Sequence, residues 1–467
     1  VQEDGLPIER RRFAIAAIAI GTVMAVLDGT ITNVALPTIS RELQADAASS
    51  VWVVNAYQVI VTMAILPFSS LGDAIGYRKV YVAGLALFTL GSLLCAASTS
   101  LLALVLARVL QGVGGAAVMS IAPALSRTIF PARMLGVAVG ISALTVASSA
   151  AAGPTLGGAI LAVANWPWIF AINVPIGLFD VFFSLRALPP NRGNGRRIDA
   201  VSALLSAPAL ALLIMALDAI ARHLPAGIVV TMLVASVALG YAFVRRQARL
   251  EVPMLPLDLF RIRRFSLATS TSLLSFLAQG LAFVALPFLF QGAFGYSAFE
   301  SGLLFTPWPL SIAVVAPIAG RLADRLSPPL LSTIGLGIFA LGLAALAVLP
   351  AHPWAADIVW RASVCGIGFG CFQSPNNREI MGSAPRERSG GASGMLATVR
   401  LTGQSIGAAL VAVVLGTSVA AGMGGADPAL AGPAHTALWL GSAAAVAAFA
   451  VSALRLRSAH PPAAAGL

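Results

Sequence analysis

A carboxylate, a guanidinium and an amide stand where polar groups are costly. Asp28 lies in AVLDGTITNVALP (25–37), inside an apolar run from Phe13 to Leu36. A carboxylate near the middle of a bilayer costs about 3 kcal/mol on insertion scales, so its presence suggests a task. Arg108 lies in LVLARVLQGVGGA (104–116), again inside an apolar run. Counted at 1.5 Å per residue, both charges fall about 10–12 Å below the same predicted membrane boundary. Equal depth permits an ion pair across two helices. Gln111 falls one turn from Arg108 on the same helix face. A buried carboxylate beside a cation exchanges a proton when the balance between desolvation and pairing changes. Water reaching it from alternate sides would load and unload that proton. The alternative is a static pair that fixes helix packing.

The rest of the chain is suited to holding such groups in lipid. Of 467 residues, 58% are hydrophobic and 10% charged, against about 25% charged in soluble domains. Mean hydropathy is +0.90. A net charge of +11 raises the question of nucleic acid. The basic residues, however, lie in short loops between apolar runs, so no nucleic-acid partner is expected. Cys95, Cys365 and Cys371 fall in apolar runs without metal-ligand spacing and read as small buried hydrophobes. His223, His352, His435 and His460 are scattered through loops or the tail. No HExxH, GxSxG or GxxxxGK[ST] occurs. No enzyme activity, metal or cofactor is expected. The opening VQEDGLPIERRRF mixes acids with bases, and the apolar run after it is too long for a signal-peptide core. Arg10–Arg12 are expected to anchor the first helix instead.

About 20 apolar residues cross a bilayer as a helix. Fourteen such stretches are predicted, at 13–36, 51–71, 80–98, 101–123, 135–162, 168–188, 200–221, 225–245, 265–291, 301–321, 330–349, 355–377, 391–421 and 434–455. A cytoplasmic N-terminus puts 24 of the 29 basic residues in inner segments, Arg455 among them. Only Arg41 and Arg222 then lie in outer loops, and Arg108, Arg361 and Arg400 lie within spans. That asymmetry obeys the positive-inside rule and predicts two cytoplasmic termini. Trp52, Trp166, Trp168 and Trp354 fall at outer boundaries, where amphipathic rings prefer to sit.

The loop after the second span, SSLGDAIGYRK (69–79), is echoed after the tenth by GRLADRLSPP (320–329). Asp73 and Asp324 are 251 residues apart. Setting aside spans seven and eight leaves two six-helix groups that enter from the same side, a parallel repeat. The predicted divisions are an N-terminal bundle (1–190), a two-helix insert with its loops (191–254), a C-terminal bundle (255–457) and a cytoplasmic tail (458–467). The expected fold is thus all-α and polytopic, with fourteen transmembrane helices.

Four motifs now carry a family resemblance: LDGTITNVALPTI (27–39), SSLGDAIGYRK (69–79), LVLARVLQGVGGA (104–116) and GPTLGGAI (153–160). With their order and the span count, the chain resembles the major facilitator superfamily in its fourteen-helix drug:proton antiporter branch. The resemblance implies proton coupling or cation recognition by acids near Asp28, the residue whose depth matches that of Arg108. It implies a latch between the two halves on the cytoplasmic side, built from Asp73, Gly76 and Arg78 and echoed by Asp324 and Arg325. Ser69 and Ala74 depart from the usual loop pattern, and Ala74 replaces a usual basic residue. Gly153, Pro154, Gly157 and Gly158 match the antiporter motif of the fifth helix, with Ser149 where a further Gly is usual. Pro154 should bend that helix, and the glycines should let a neighbour approach.

Asn33, Tyr57, Gln111, Gln279 and Phe283, together with Asp28, are candidates to line a substrate cavity. By the resemblance that cavity would lie between the first and fourth helices and their C-half counterparts. Asp180 and Asp218 are further acids, the latter placed to reach outer water. Arg361 and Arg400 are buried cations without an assignable partner. The expected protein is an inner-membrane, proton-coupled exporter of hydrophobic or cationic small molecules, working as a monomer. Its partners would be the lipid bilayer, protons and the small-molecule substrate. An exporter of one specific metabolite and a transporter-like sensor without turnover remain open.

Overall fold

The computed structural model describes residues 5–131, 134–191, 193, 200–250, 257–323, 325–384, 389–420 and 431–456. A helix covers each predicted stretch. The first six correspond to α1 (Ile8–Glu42), α2 (Ala47–Ser50) with α3 (Trp52–Ile75), α4 (Tyr77–Ala96), α5 (Leu101–Ile129), α6 (Leu135–Val163), and α7 (Pro167–Ala171) with α8 (Asn173–Ala187). Then come α9 (Ala200–Ala221) and α10 (Ala226–Gln247). The rest are α11 (Arg263–Pro287), α12 (Ala298–Phe305) with α13 (Pro307–Leu322), α14 (Pro328–Ala347), α15 (Ala355–Ser383), α16 (Ser389–Ala420) and α17 (Ala431–Leu456). Among the described residues, thirteen helical stretches are long and apolar enough to cross a membrane. In α9 the described apolar stretch, Leu205–Ala221, is shorter. Large apolar side chains such as Leu102, Leu106 and Leu341 are more than 60% exposed, as a surface solvated by lipid requires.

Local chemistry sets several helix ends. Asp46 accepts from the Ser49 amide at 2.7 Å and starts α2. Ser297 and Glu300 form a reciprocal capping box that starts α12. Gly76 ends α3 at φ +108°, a conformation that favours glycine. Pro175 lacks the N–H that would bond the Ala171 carbonyl, and the chain breaks at Ile172 between α7 and α8.

A repeat 251 residues long runs through this packing. The Asp46 and Ser297 caps are that far apart. In the first copy α4 crosses α5 at Gly84 and Gly91. A Cβ on Gly84 would lie 2.6 Å from Ala117 Cβ, and one on Gly91 2.6 Å from the Gln111 backbone. In the second copy α14 crosses α15 at Gly335 and Gly342. There a Cβ would meet the Phe372 nitrogen at 2.6 Å or the Cys365 nitrogen at 2.8 Å. Edge-to-face rings recur as well: Tyr57 on Phe88 at 6.5 Å, and Trp308 on Phe339 at 5.7 Å. α3 and α4 pack on α5, as α13 and α14 pack on α15. α1 packs on α6 and α8, and α11 packs on α16 and α17.

The two groups touch at the end opposite the N-terminus, here called distal. Gln291 Nε2 donates to the Val34 carbonyl at 2.8 Å. The Thr155 and Thr306 hydroxyls are hydrogen-bonded to each other. A Cβ on Gly302 would sit 2.3 Å from the Pro154 carbonyl oxygen. α9 packs on both α3 and α16, with α10 against it. Asp218 is not simply a group reaching for water. It accepts from Trp52 Nε1 at 2.6 Å and from Arg222 Nε at 2.8 Å, tying α9 to α3. Asp218→Ala is expected to weaken this half-exposed tether by about 1–2 kcal/mol. Faster amide exchange in α9, with α4 and α5 unchanged, would register it; equal exchange throughout would contradict it.

A buried ion-pair cluster as the candidate functional site

α1 and α5 cross so that Asp28 and Arg108 meet, and both side chains are completely buried. Arg108 Nη1 donates to Asp28 Oδ2 and also to Gln111 Oε1 at 2.6 Å. Gln111 Nε2 donates to Asp28 Oδ1 and to Ser92 Oγ, both at 2.8 Å. Asn173, the first residue of α8, donates to Asp28 Oδ1 at 3.1 Å. The carboxylate therefore gathers three donors from α5 and α8. Arg108 is held just as closely. Its Nε donates to the Val53 carbonyl at 2.8 Å, and its guanidinium stacks 4.3 Å from the Tyr57 ring centre. Nη2 has no hydrogen-bond partner among the described residues. The depth argument from sequence holds for this pair, and Tyr57 and Gln111 join it. Sequence reasoning missed Asn173 and Ser92 as carboxylate and amide partners, because a lone Asn or Ser in a span carries no specific signal.

The remaining candidates lie apart. Asn33 is buried on α1 and donates to the Gly29 carbonyl at 3.2 Å. Gln279 accepts from Gln404 Nε2 at 3.0 Å. Phe283 packs edge-on against Phe305 and Trp308, at 4.8 Å and 5.2 Å between ring centres. A cavity of about 530 Å³ does lie beside the cluster, but between α1, α6 and α8. Its walls are aliphatic, including Leu27, Leu156 and Ile176, and its one polar lining residue is Asn173. Asp28 is not among the residues lining that space and is itself 2% exposed.

The loop residues are tied within the N-terminal group. Asp73 is exposed and accepts from Tyr77 Oη at 2.5 Å. Arg78 donates to the Leu185 carbonyl at the end of α8, and its backbone N–H donates to Asn191 Oδ1 at 3.1 Å. A Cβ on Gly76 would lie 2.6 Å from the Asn191 carbonyl oxygen. Asp324 lies outside the described residues, while Arg325 is exposed. On α6, a Cβ on Gly153 would overlap Thr30 Oγ1, and one on Gly158 would meet the Ala298 carbonyl oxygen at 2.8 Å. Gly157 faces Ile31, where a Cβ would approach to 3.2 Å. The Gly-Pro motif is thus a contact between α6 and both α1 and α12.

A second buried cluster was not anticipated. Arg455, counted as an inner-loop cation, is 2% exposed within the last turn of α17. It donates to Glu379 Oε2 at 2.7 Å and to Asn376 Oδ1 at 2.8 Å. Asn376 in turn donates to Ser272 Oγ at 2.8 Å. Arg361 also has partners, the Ala345 carbonyl and Asp357 at 3.5 Å.

The Major Facilitator Superfamily profile matches residues 18–408 and 268–465. Over 417 residues the chain is 54% identical to an uncharacterized transporter, YebQ, of Escherichia coli K12, covering 89% of this chain and 91% of that one. It is 31% identical over 405 residues to the riboflavin transporter RibZ of Clostridioides difficile, covering 86% and 88%. It is 32% identical over 405 residues to the multidrug resistance protein Stp of Mycobacterium tuberculosis, covering 86% and 75%. Among solved structures, a bacterial homolog of the human lysosomal transporter Spinster, inward-facing and unoccupied, matches at a TM-score of 0.69 and 16% identity. That match covers 98% of this chain and 100% of the other. The matched relatives are transporters rather than enzymes, and the chain belongs to the Major Facilitator Superfamily, as a multi-pass membrane transporter.

Proposed function

We propose that the protein exports hydrophobic or cationic small molecules in exchange for protons, by alternating access between two six-helix bundles. The grouping 1–190 and 255–457, with a two-helix insert between, is supported by the 251-residue repeat of caps, crossings and ring pairs. A fourteenth span at α9 and cytoplasmic termini complete the topology, supported by the distribution of Arg. The relative named for multidrug resistance supports the substrate class.

The single observation that carries proton coupling is the sealed Asp28–Arg108 pair. Protonating Asp28 here would strand a buried guanidinium, at a cost of several kcal/mol. The proton therefore binds only as α1 and α5 part enough for water to reach Arg108. Binding and rearrangement become one event, which is what an exchanger requires. In the open form Asp28, Gln111 and Tyr57 would face the passage, with Gln279 and Phe283 across from them on α11. Asn33 would lie further toward the distal end. Asp73, Gly76 and Arg78, with Asp324 and Arg325, would tune the proximal closure. Gly153, Pro154, Gly157 and Gly158 would form the distal contact that opens.

The test is efflux of the lipophilic cation ethidium from proteoliposomes under an imposed pH gradient. Wild type is expected to carry gradient-dependent flux, and Asp28→Asn to lose at least tenfold. Equal flux in the two proteins would remove Asp28 from the mechanism. The riboflavin transporter among the relatives favours a second reading, a carrier for one metabolite. Competition confined to one chemical class would select it.

A further inference from the structure

A second carboxyl group lies two turns from Asn173 along α8. Asp180 is 0% exposed. Its Oδ1 accepts from Ser184 Oγ at 3.3 Å, and its Oδ2 has no hydrogen-bond partner among the described residues. Both Asp180 Oδ2 and Tyr81 Oη crowd the bare backbone of Gly21 on α1. A Cβ there would lie 3.1 Å from the first and 2.3 Å from the second. Tyr81 already gives its proton to the carbonyls of Ala17 and Ile18, at 3.2 Å and 3.4 Å, so it does not satisfy Oδ2.

The charged surroundings are sparse. From α4 the titratable neighbour is Tyr81, and the stretch of α1 against Asp180 offers Gly21 and apolar residues. On α8 itself Arg186 stacks on Phe182, 3.7 Å from the ring centre, and Arg78 is engaged with the Leu185 carbonyl. No ion pair reaches Asp180 among the described residues, unlike Asp28, which has Arg108. A deeply buried carboxyl group without a cation balances its charge with a proton.

The position continues the first cluster. Asn173, Gly177, Asp180 and Ser184 share one face of α8, and at 1.5 Å per residue Asp180 lies about 10 Å proximal to Asn173. Thr89 Oγ1 fills the gap between them, 2.0 Å from where a Gly177 Cβ would be. One turn along α4 from Thr89 is Ser92, which binds Gln111. Polar groups thus line the α1–α4–α8 seam from Asp28 to Asp180.

From this geometry we infer that Asp180 is a second proton-binding site, the proximal station for protons that pass the Asp28 cluster. The proton resides on Oδ2, and it leaves to proximal water when α8 and α1 separate at Gly21. The inference rests on the proton-coupled reading for the direction of passage, but the site itself is tested separately.

Two measurements decide it. Infrared difference spectra of the purified protein over a pH series should contain a carboxylic-acid C=O band that fades as pH rises. The band should be present in Asp28→Asn, missing from Asp180→Asn and shifted in frequency in Ser184→Ala. In proteoliposomes with an imposed pH gradient, Asp180→Asn should lower ethidium flux at least tenfold and flatten its dependence on proximal pH. A band of equal intensity in wild type and Asp180→Asn, or flux within twofold of wild type, overturns the inference. Should Asp180→Asn fail to fold, an unshifted band in Ser184→Ala overturns it instead. If Asp28→Asn retains wild-type flux while the Asp180 band is seen, the reading of Asp28 fails and the second site stands.

Discussion

Replacing Arg108 with Met is expected to destabilise the protein by about 3–5 kcal/mol, the usual cost of leaving one member of a buried pair alone. Asp28 would keep the donors from Gln111 and Asn173 but lose its counter-charge. The Val53 carbonyl would lose its Arg108 donor, and Tyr57 the cation on its face. Combining Arg108→Met with Asp28→Asn removes both charges. That double variant should recover most of the loss, since apolar or neutral replacements of whole buried pairs are often tolerated. Thermal denaturation in detergent for wild type, both single variants and the double gives the coupling free energy. Flux then separates the two roles of the pair. A static strut predicts that the stabilised double variant transports under a pH gradient as wild type does. Proton coupling predicts a folded protein whose flux no longer responds to the gradient.

The second large effect concerns the helix crossings. A Cβ on Gly114 would sit 2.3 Å from the Phe88 backbone nitrogen, and one on Gly368 2.4 Å from the Phe339 nitrogen. Backbone cannot yield as a flexible side chain does, so the helices themselves must part. Gly114→Ala and Gly368→Ala are each expected to cost about 1–3 kcal/mol or more, despite the helix propensity of alanine. Gly240→Ala on α10 is the control, because nothing lies within 4 Å of its Cβ position. It should be neutral or stabilising by up to about 1 kcal/mol. Melting curves of the three variants test this. Similar losses at positions 114 and 368 support equivalent crossings in the two groups. A stable Gly114→Ala would mean that α4 and α5 are not in contact there.

The helices were readable because apolar run length and Arg placement follow directly from the bilayer. Asp28 and Arg108 were readable as partners because depth can be counted along a helix. Asn173 was not, since rotation about α8 is set by a break at Ile172 that hydropathy does not reveal. Arg455 was misplaced for the opposite reason: a charge near the end of a span looks like a loop residue, yet Glu379 and Asn376 draw it inside. Phe283 illustrates a different limit. An aromatic on an inward face suits a substrate surface and a core equally well, and here Phe305 and Trp308 pack against it. The repeat was written in the sequence more fully than Asp73 and Asp324 suggest. Gly84, Phe88 and Gly91 recur as Gly335, Phe339 and Gly342 at the same interval. Small residues in apolar helices carry little weight until their contacts are known.

Counting by that interval, Asp28 corresponds to Gln279, so the carboxylate at this level belongs to one half alone. While Asp28 and Arg108 remain joined, the cluster has no net charge, and an electric field across the membrane exerts no net pull on it. Were Asp28 to take a proton as proposed, one positive charge would remain, and each 100 mV would act on a full traverse with about 2.3 kcal/mol. Under the proposed exchange, membrane voltage would therefore bias the proton-carrying stroke and leave the return of the intact pair untouched.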